Sequence, residues 1–274
     1  MFRVLALLLA LASLSGPALA DSLSLEGDFS QGGLVTGKTV PGAKISLNGK
    51  TIRVAPDGLF VFGLGRDAGA DLRLETVSPD GKRETHPLKV RQRKYRIQRI
   101  NGLPRKMVTP SAEALKRIRR EGAAIRAARA VFTQKTNFQA GFMWPAKGRI
   151  SGVYGSQRIL NGEPRRPHLG IDIAAPKGTP VQASAAGVVT LAEKDLYFTG
   201  GTIIIEHGHG LSSVYSHLSR IDVRKGQSVS RGQTIGAIGS TGRSTGPHLD
   251  WRINWYQERL DPMLLAGPMP KDGN

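Results

Sequence analysis

The chain contains no cysteine. That excludes a disulfide framework and any thiolate metal site, so stability has to come from a packed core. Acidic residues are scarce as well: 21 Asp and Glu stand against 39 Lys and Arg, a formal net charge of +18. An excess of this size informs on partners rather than on fold. Aromatic residues are only 6% of the chain, and beyond its start no apolar run is long enough to cross a bilayer. What remains is ample for a core: 274 residues, 39% of them hydrophobic, enough for two ordinary domains. The 34 glycines and 16 prolines suit short strands and turns better than a helical bundle.

The start of the chain is built for export. Arg3 precedes an apolar run from Val4 to Leu14, and Ala18-Leu19-Ala20 forms a small-x-small cleavage pattern. Residues 1–20 therefore read as a signal peptide, with the mature chain starting at Asp21 and lying in the periplasm or outside the cell. No cysteine is present for lipidation at the cleavage site, and no transmembrane segment is expected after cleavage. Export also argues against nucleic acid as the partner of so basic a chain. Peptidoglycan carboxylates, lipid headgroups and phosphate-bearing polymers are the anionic alternatives.

Three further segments follow. Residues 21–90 alternate in strand fashion, with Asn48-Gly49, Pro56-Asp57-Gly58 and Pro79-Asp80-Gly81 as turns, and predict a small β-sandwich. Residues 91–139 form a basic linker. Fourteen Lys and Arg between Lys89 and Arg129 face only Glu113 and Glu121. Thr109-Pro110 reads as a helix start, and Leu115, Ile118, Ile125 and Phe132 as an apolar stripe. Such a basic helix either packs between domains or meets an anionic envelope surface. Residues 140–265 return to glycine-punctuated strands, so the fold class is mostly β, with a C-terminal antiparallel sheet.

Five of the six histidines, His168, His207, His209, His217 and His248, fall in that last segment. Clustered histidines with nearby carboxylates and no thiols point to an imidazole and carboxylate metal site. In a strand, residues two or four apart share a face. That rule puts His168 with Asp172, His248 with Asp250, and Tyr215 with His217. Gly170 falls between His168 and Asp172, where a side chain would crowd an ion. His207 reads as a structural brace, His209 as a solvent-facing turn residue and His86 as a surface residue. Tyr154, Tyr197 and Tyr215 are either groove-lining or ordinary packing.

The motifs H-L-G-I-D (168–172), H-G-H-G (207–210), Y-S-H-L (215–218) and G-S-T-G-R-S-T-G-P-H-L-D (239–250) follow one another in order. Together, over residues 140–255, this part of the chain resembles the lysostaphin-type, LytM-like zinc metallopeptidases that cleave peptidoglycan. The resemblance implies a zinc endopeptidase acting on peptidoglycan peptides. In it His168 and Asp172 are Zn2+ ligands, and His217 and His248 are the pair that handles the water proton and the oxyanion. The third ligand position, His in the family, is Asp250 here. Aspartate is a competent zinc ligand, but a second carboxylate makes the centre less positive and favours harder metals. Some members of that family have lost their ligands and act as regulators of other wall enzymes, so the alternative reading of this chain is a catalytically weak or inactive LytM-like module that binds the cell wall or regulates other wall hydrolases.

Overall fold

The computed structural model describes residues 23–103 and 108–270. The expected leader and its cleavage site lie outside the described residues. Among those described, twenty strands and two α-helices confirm the mostly-β class. No helix among them is long and apolar enough to cross a membrane.

Seven short strands come first: β1 (Leu23–Gly27), β2 (Leu34–Thr39), β3 (Lys44–Leu47), β4 (Lys50–Ile52), β5 (Leu59–Gly63), β6 (Asp71–Val77) and β7 (Arg83–Lys89). They form two antiparallel sheets, β1-β2-β5 and β4-β3-β6-β7. The β3–β4 hairpin turns on Asn48 and Gly49, both with positive φ (47° and 76°), the geometry that Asn-Gly tolerates best. Val35, Phe60 and Phe62 from one sheet close a single core with Ile45, Ile52 and Leu74 from the other, as a sandwich requires. Leu59 and Val61 instead join the core of the C-terminal sheet, so the sandwich is docked on it. Arg93 pairs with buried Asp261 at 2.8 Å across the same junction.

The basic segment contributes β8 (Ile97–Ile100) and α1 (Ala112–Arg129). Ser111, not Thr109, caps α1: its backbone is extended and its hydroxyl accepts from the Ala114 N–H at 3.2 Å. Only the C-terminal half of the expected stripe is used. Ile125 and Ala128 pack on Leu191, Leu196, Ile204 and Val214, while Leu115 stays exposed. Arg117 is tied to Asp195 and Glu121, and Glu121 accepts the Tyr197 N–H at 2.8 Å. Lys116, Arg119, Arg120 and Arg126 face solvent.

The remaining strands are β9 (Arg149–Gly152), β10 (Gln157–Leu160), β11 (Glu163–Arg165), β12 (Ile171–Ala174), β13 (Pro180–Gln182), β14 (Gly187–Leu196), β15 (Gly200–Gly208), β16 (Leu211–Ile221), β17 (Ser228–Val229), β18 (Thr234–Ile238), β19 (His248–Trp255) and β20 (Glu258–Leu260), followed by α2 (Pro262–Ala266). Their main sheet runs β17-β14-β15-β16-β19-β12-β9, antiparallel throughout. β8 adds in parallel to β10, beside β9. Along β19, Leu249, Trp251 and Ile253 enter the main core with Ile171, Ile173, Ile203, Ile205 and Tyr215. Asp250, Arg252 and Asn254 therefore point to the opposite face, which α1 partly covers. Burying each Ile or Leu of that core contributes about 1.5–3 kcal/mol, which fixes the register of β12 against β19.

Candidate metal centre

That register sets Asp172 directly opposite Asp250 and Ala174 opposite His248. Directly paired residues share a face, so two carboxylates meet side by side. His168 joins them from outside the strand. β12 starts at Ile171, so strand alternation is not what pairs His168 with Asp172, contrary to the sequence expectation. Two backbone bonds hold the histidine instead: its N–H donates to Ser156 O at 2.8 Å, and its carbonyl accepts from Gly155 N at 2.7 Å. Ligand atoms of His168, Asp172 and Asp250 all lie within 4.8 Å of one another, and the three residues are buried. His168 Nε2 is 3.1 Å from Asp172 Oδ1.

Two glycines make room. A Cβ at Gly152 would strike Asp172 Oδ2 at 2.2 Å. One at Gly170 would meet Arg252 Cγ at 2.5 Å and Asp250 Oδ1 at 2.9 Å. The crowding expected at Gly170 is thus felt by Asp250 and its neighbour.

His217 reaches the site by breaking the strand rule. Ser216 is the cross-strand partner of Asp250, and Tyr215 that of Trp251 in the core. Regular alternation would send His217 away from Asp250. Its φ of 66°, a left-handed conformation costly for a non-glycine residue, turns it back. Tyr215 does not line the site: it is fully buried, and its hydroxyl accepts from the Ser184 N–H at 2.7 Å. The His217 and His248 rings lie side by side, centroids 4.7 Å apart. Nδ1 of His217 sits 2.7 Å from Thr241 O, and Nδ1 of His248 2.8 Å from Gly246 O. A carbonyl only accepts, so both Nδ1 atoms carry a proton and neither Nε2 is committed to these bonds. Burial lowers the pKa of His217 to about 4, so its ring is neutral at neutral pH.

Two arginines that the motifs did not reveal complete the centre. Arg158 Nη2 donates to Asp172 Oδ2 at 2.7 Å. Arg252 grips Asp250 with both arms of its fork, Nε donating to Oδ1 at 2.8 Å and Nη2 to Oδ2. Burial alone would raise the Asp250 carboxyl; Arg252, with His168 and His217 behind it, outweighs burial and holds it far below the usual carboxylate range. Burial likewise opposes ionisation of Asp172, and His168 and Arg158 override it. The i,i+2 spacing of Asp250 and Arg252 on one strand was legible beforehand; the reach of Arg158 from β10 was not.

These residues fit a divalent cation. His168 Nε2 and Asp172 Oδ1 are buried with only their own 3.1 Å approach between them and no well-aligned hydrogen bond, a costly state that a cation between them would relieve. Each carboxylate oxygen has two lone pairs, so the Arg252 fork leaves Asp250 able to ligate. The donor set of one imidazole and two carboxylates suits zinc or a harder metal. A cleft of about 320 Å³ opens beside it, lined by Arg158, Asp172, His217 and His248 together with residues 243–247 and Gln98.

The other histidines stand apart. His207 is a buried brace, its ring bonded to Ala186 O and Ser213 Oγ at 2.7 Å each. His209 is not solvent-facing. It is 2% exposed, packed between Phe132 and Phe138, because the β15–β16 turn is folded under residues 131–138. His86 is half-buried on β7, 3.5 Å from Thr76 Oγ1.

The model of peptidase family M23 matches residues 166–262. A crystal structure of a Pseudomonas aeruginosa protein assigned to peptidase M23 superposes with a TM-score of 0.68 at 30% identity, covering 88% of this chain and 96% of that one. The chain belongs to peptidase family M23. Over 125 residues it is 46% identical to the peptidoglycan DD-endopeptidase ShyA of Vibrio cholerae. Over 123 residues it is 41% identical to the DD-carboxypeptidase/endopeptidase Mpg of Neisseria meningitidis. Each match takes in 45% of this chain but only 29% and 28% of those proteins, so the chain spans under a third of their length. The matched M23 segment contains His168, Asp172, His217, His248 and Asp250. It leaves out Arg158, β8 and α1.

Proposed function

We propose that this chain is an exported zinc metalloendopeptidase that hydrolyses stem or cross-link peptide bonds of peptidoglycan. The observation that carries the proposal is the convergence of His168, Asp172 and Asp250, with unsatisfied donor atoms, beside two histidines that present free Nε2 atoms. Membership of M23 supports peptidase chemistry, and relatives named for peptidoglycan endopeptidase activity support the substrate class and an extracytoplasmic site.

His168, Asp172 and Asp250 would hold the ion. Bound zinc would supply Lewis-acid activation of water and of the scissile carbonyl. Arg158 and Arg252 keep the two carboxylates ionised and aimed. His217, neutral and anchored by its Nδ1–H on Thr241 O, accepts the proton of the attacking water at Nε2. His248, anchored on Gly246 O at the open rim, is placed to steady the developing oxyanion. The cleft beside them receives the peptide.

The test is mass analysis of muropeptides after purified sacculi are incubated with the zinc-loaded chain. New uncross-linked or shortened muropeptides are expected. Sacculi unchanged after prolonged incubation, with zinc bound stoichiometrically, would remove the hydrolase assignment.

A further inference from the structure

A second polar site lies behind the metal centre. Between α1 and the β15–β16–β19 face is a cavity of about 100 Å³, whose polar lining includes Arg129, Arg252, Arg259, Thr202 and Ser216. It shares no lining residue with the peptide cleft. A single water needs about 10–15 Å³, so the space exceeds what one water fills.

Its charge is unbalanced. Arg252 is matched by Asp250. Arg259 donates from Nη1 to the neutral amide oxygen of Asn254, and burial lowers its pKa to about 10. Arg129 is 6% exposed; its Nε is buried without a partner, and its guanidinium makes no hydrogen bond or ion pair among the described residues. Ser216 Oγ is fully buried and unpartnered too. No acidic residue is found among the described residues of the lining. A buried guanidinium without a counter-charge is costly, and water in the cavity would solvate it without neutralising it.

We infer that this cavity is a binding site for a tetrahedral oxyanion of phosphate or sulfate size. Guanidinium forks match such oxygens in pairs, and a free serine hydroxyl adds a neutral donor. The site adjoins the metal centre through Arg252, so an anion held there shares that guanidinium with Asp250.

The test uses the full chain with EDTA present, so that metal-bound phosphate plays no part. Sodium phosphate and sodium sulfate are titrated against sodium chloride at matched ionic strength, following the unfolding midpoint and calorimetric binding. One site per chain is expected, with a midpoint rise of about 5 °C at saturation. Arg129→Met should abolish the response and raise the midpoint in anion-free buffer, because it removes an unpaired buried cation. Ser216→Ala, a one-atom truncation, should weaken phosphate binding about fivefold and keeps the test available if Arg129→Met does not fold. Equal stabilisation by chloride, or an undiminished phosphate response in Arg129→Met, would overturn the assignment.

Discussion

Replacing Arg252 by Met isolates the role of the guanidinium on Asp250, the proposed third ligand. Asp250 is 2% exposed and takes both its strong donors from Arg252. With the arginine gone, a buried carboxylate faces Asp172 across the strand pair with no cation of its own. Breaking a buried pair from one side costs about 3–5 kcal/mol. At 2–4 °C per kcal/mol for a chain of this size, the metal-free unfolding midpoint should fall on the order of 10 °C. Asp250→Asn combined with Arg252→Met removes both charges and should recover most of that loss. Saturating zinc should narrow the gap between wild type and the single variant, because the ion supplies the missing positive charge. Calorimetric melts of the three proteins with EDTA and with zinc give all these quantities. A metal-free Arg252→Met midpoint within about 2 °C of wild type would refute the reasoning, since the pair would then not act as a unit.

His217→Ala should retain zinc by metal analysis yet lose about 10²–10⁴ in kcat on muropeptide dimers; loss of the metal instead would make His217 a ligand. For His207, burial lowers the pKa to about 4, below the value near 6.5 of an unfolded chain. The unfolded state then binds more protons between those values, so this stability is full above pH 6.5 and is lost as pH falls toward 4, by up to about 3 kcal/mol. His207→Asn should flatten that part of the denaturation profile, and an unchanged slope would count against the brace. Asp250→His alone should weaken zinc binding in a competition titration, because it strands Arg252 beside the ion; Asp250→His with Arg252→Met should bind more tightly than the single variant.

The strands of the C-terminal sheet were legible because alternation and glycine punctuation are local signals. β19, for example, spans His248–Trp255, with Leu249, Trp251 and Ile253 alternating into the core. The five candidate residues were legible as a set of motifs, but the reason their side chains converge was not. His168 lies outside the strand assumed for it, and His217 turns inward only through a positive φ that no spacing rule encodes. His209 failed for a related reason. A glycine-flanked histidine reads as a turn, which it is, but nothing nearby announces that Phe132 and Phe138 will cover it. The helix cap slipped from Thr109 to Ser111 because two capping residues compete within three positions, and the hydroxyl that meets a free N–H decides between them.

At the proposed third ligand position Asp250 and Arg252 act as a pair. A neutral imidazole at position 250 would need no counter-charge, and a cation two residues along the same strand face would repel the metal. A carboxylate there reverses both conditions. It needs a cation to stay ionised when buried, and Arg252 is placed to be that cation. The centre is therefore shaped by its own side chains, with Arg158 doing for Asp172 what Arg252 does for Asp250. Such pre-shaping has an electrostatic consequence. An incoming ion finds carboxylates already partly neutralised, so its gain on binding is smaller than at an unpaired site. Affinity for zinc should thus depend on how firmly the two guanidiniums hold, and whatever engages Arg252 from behind would be felt at the metal.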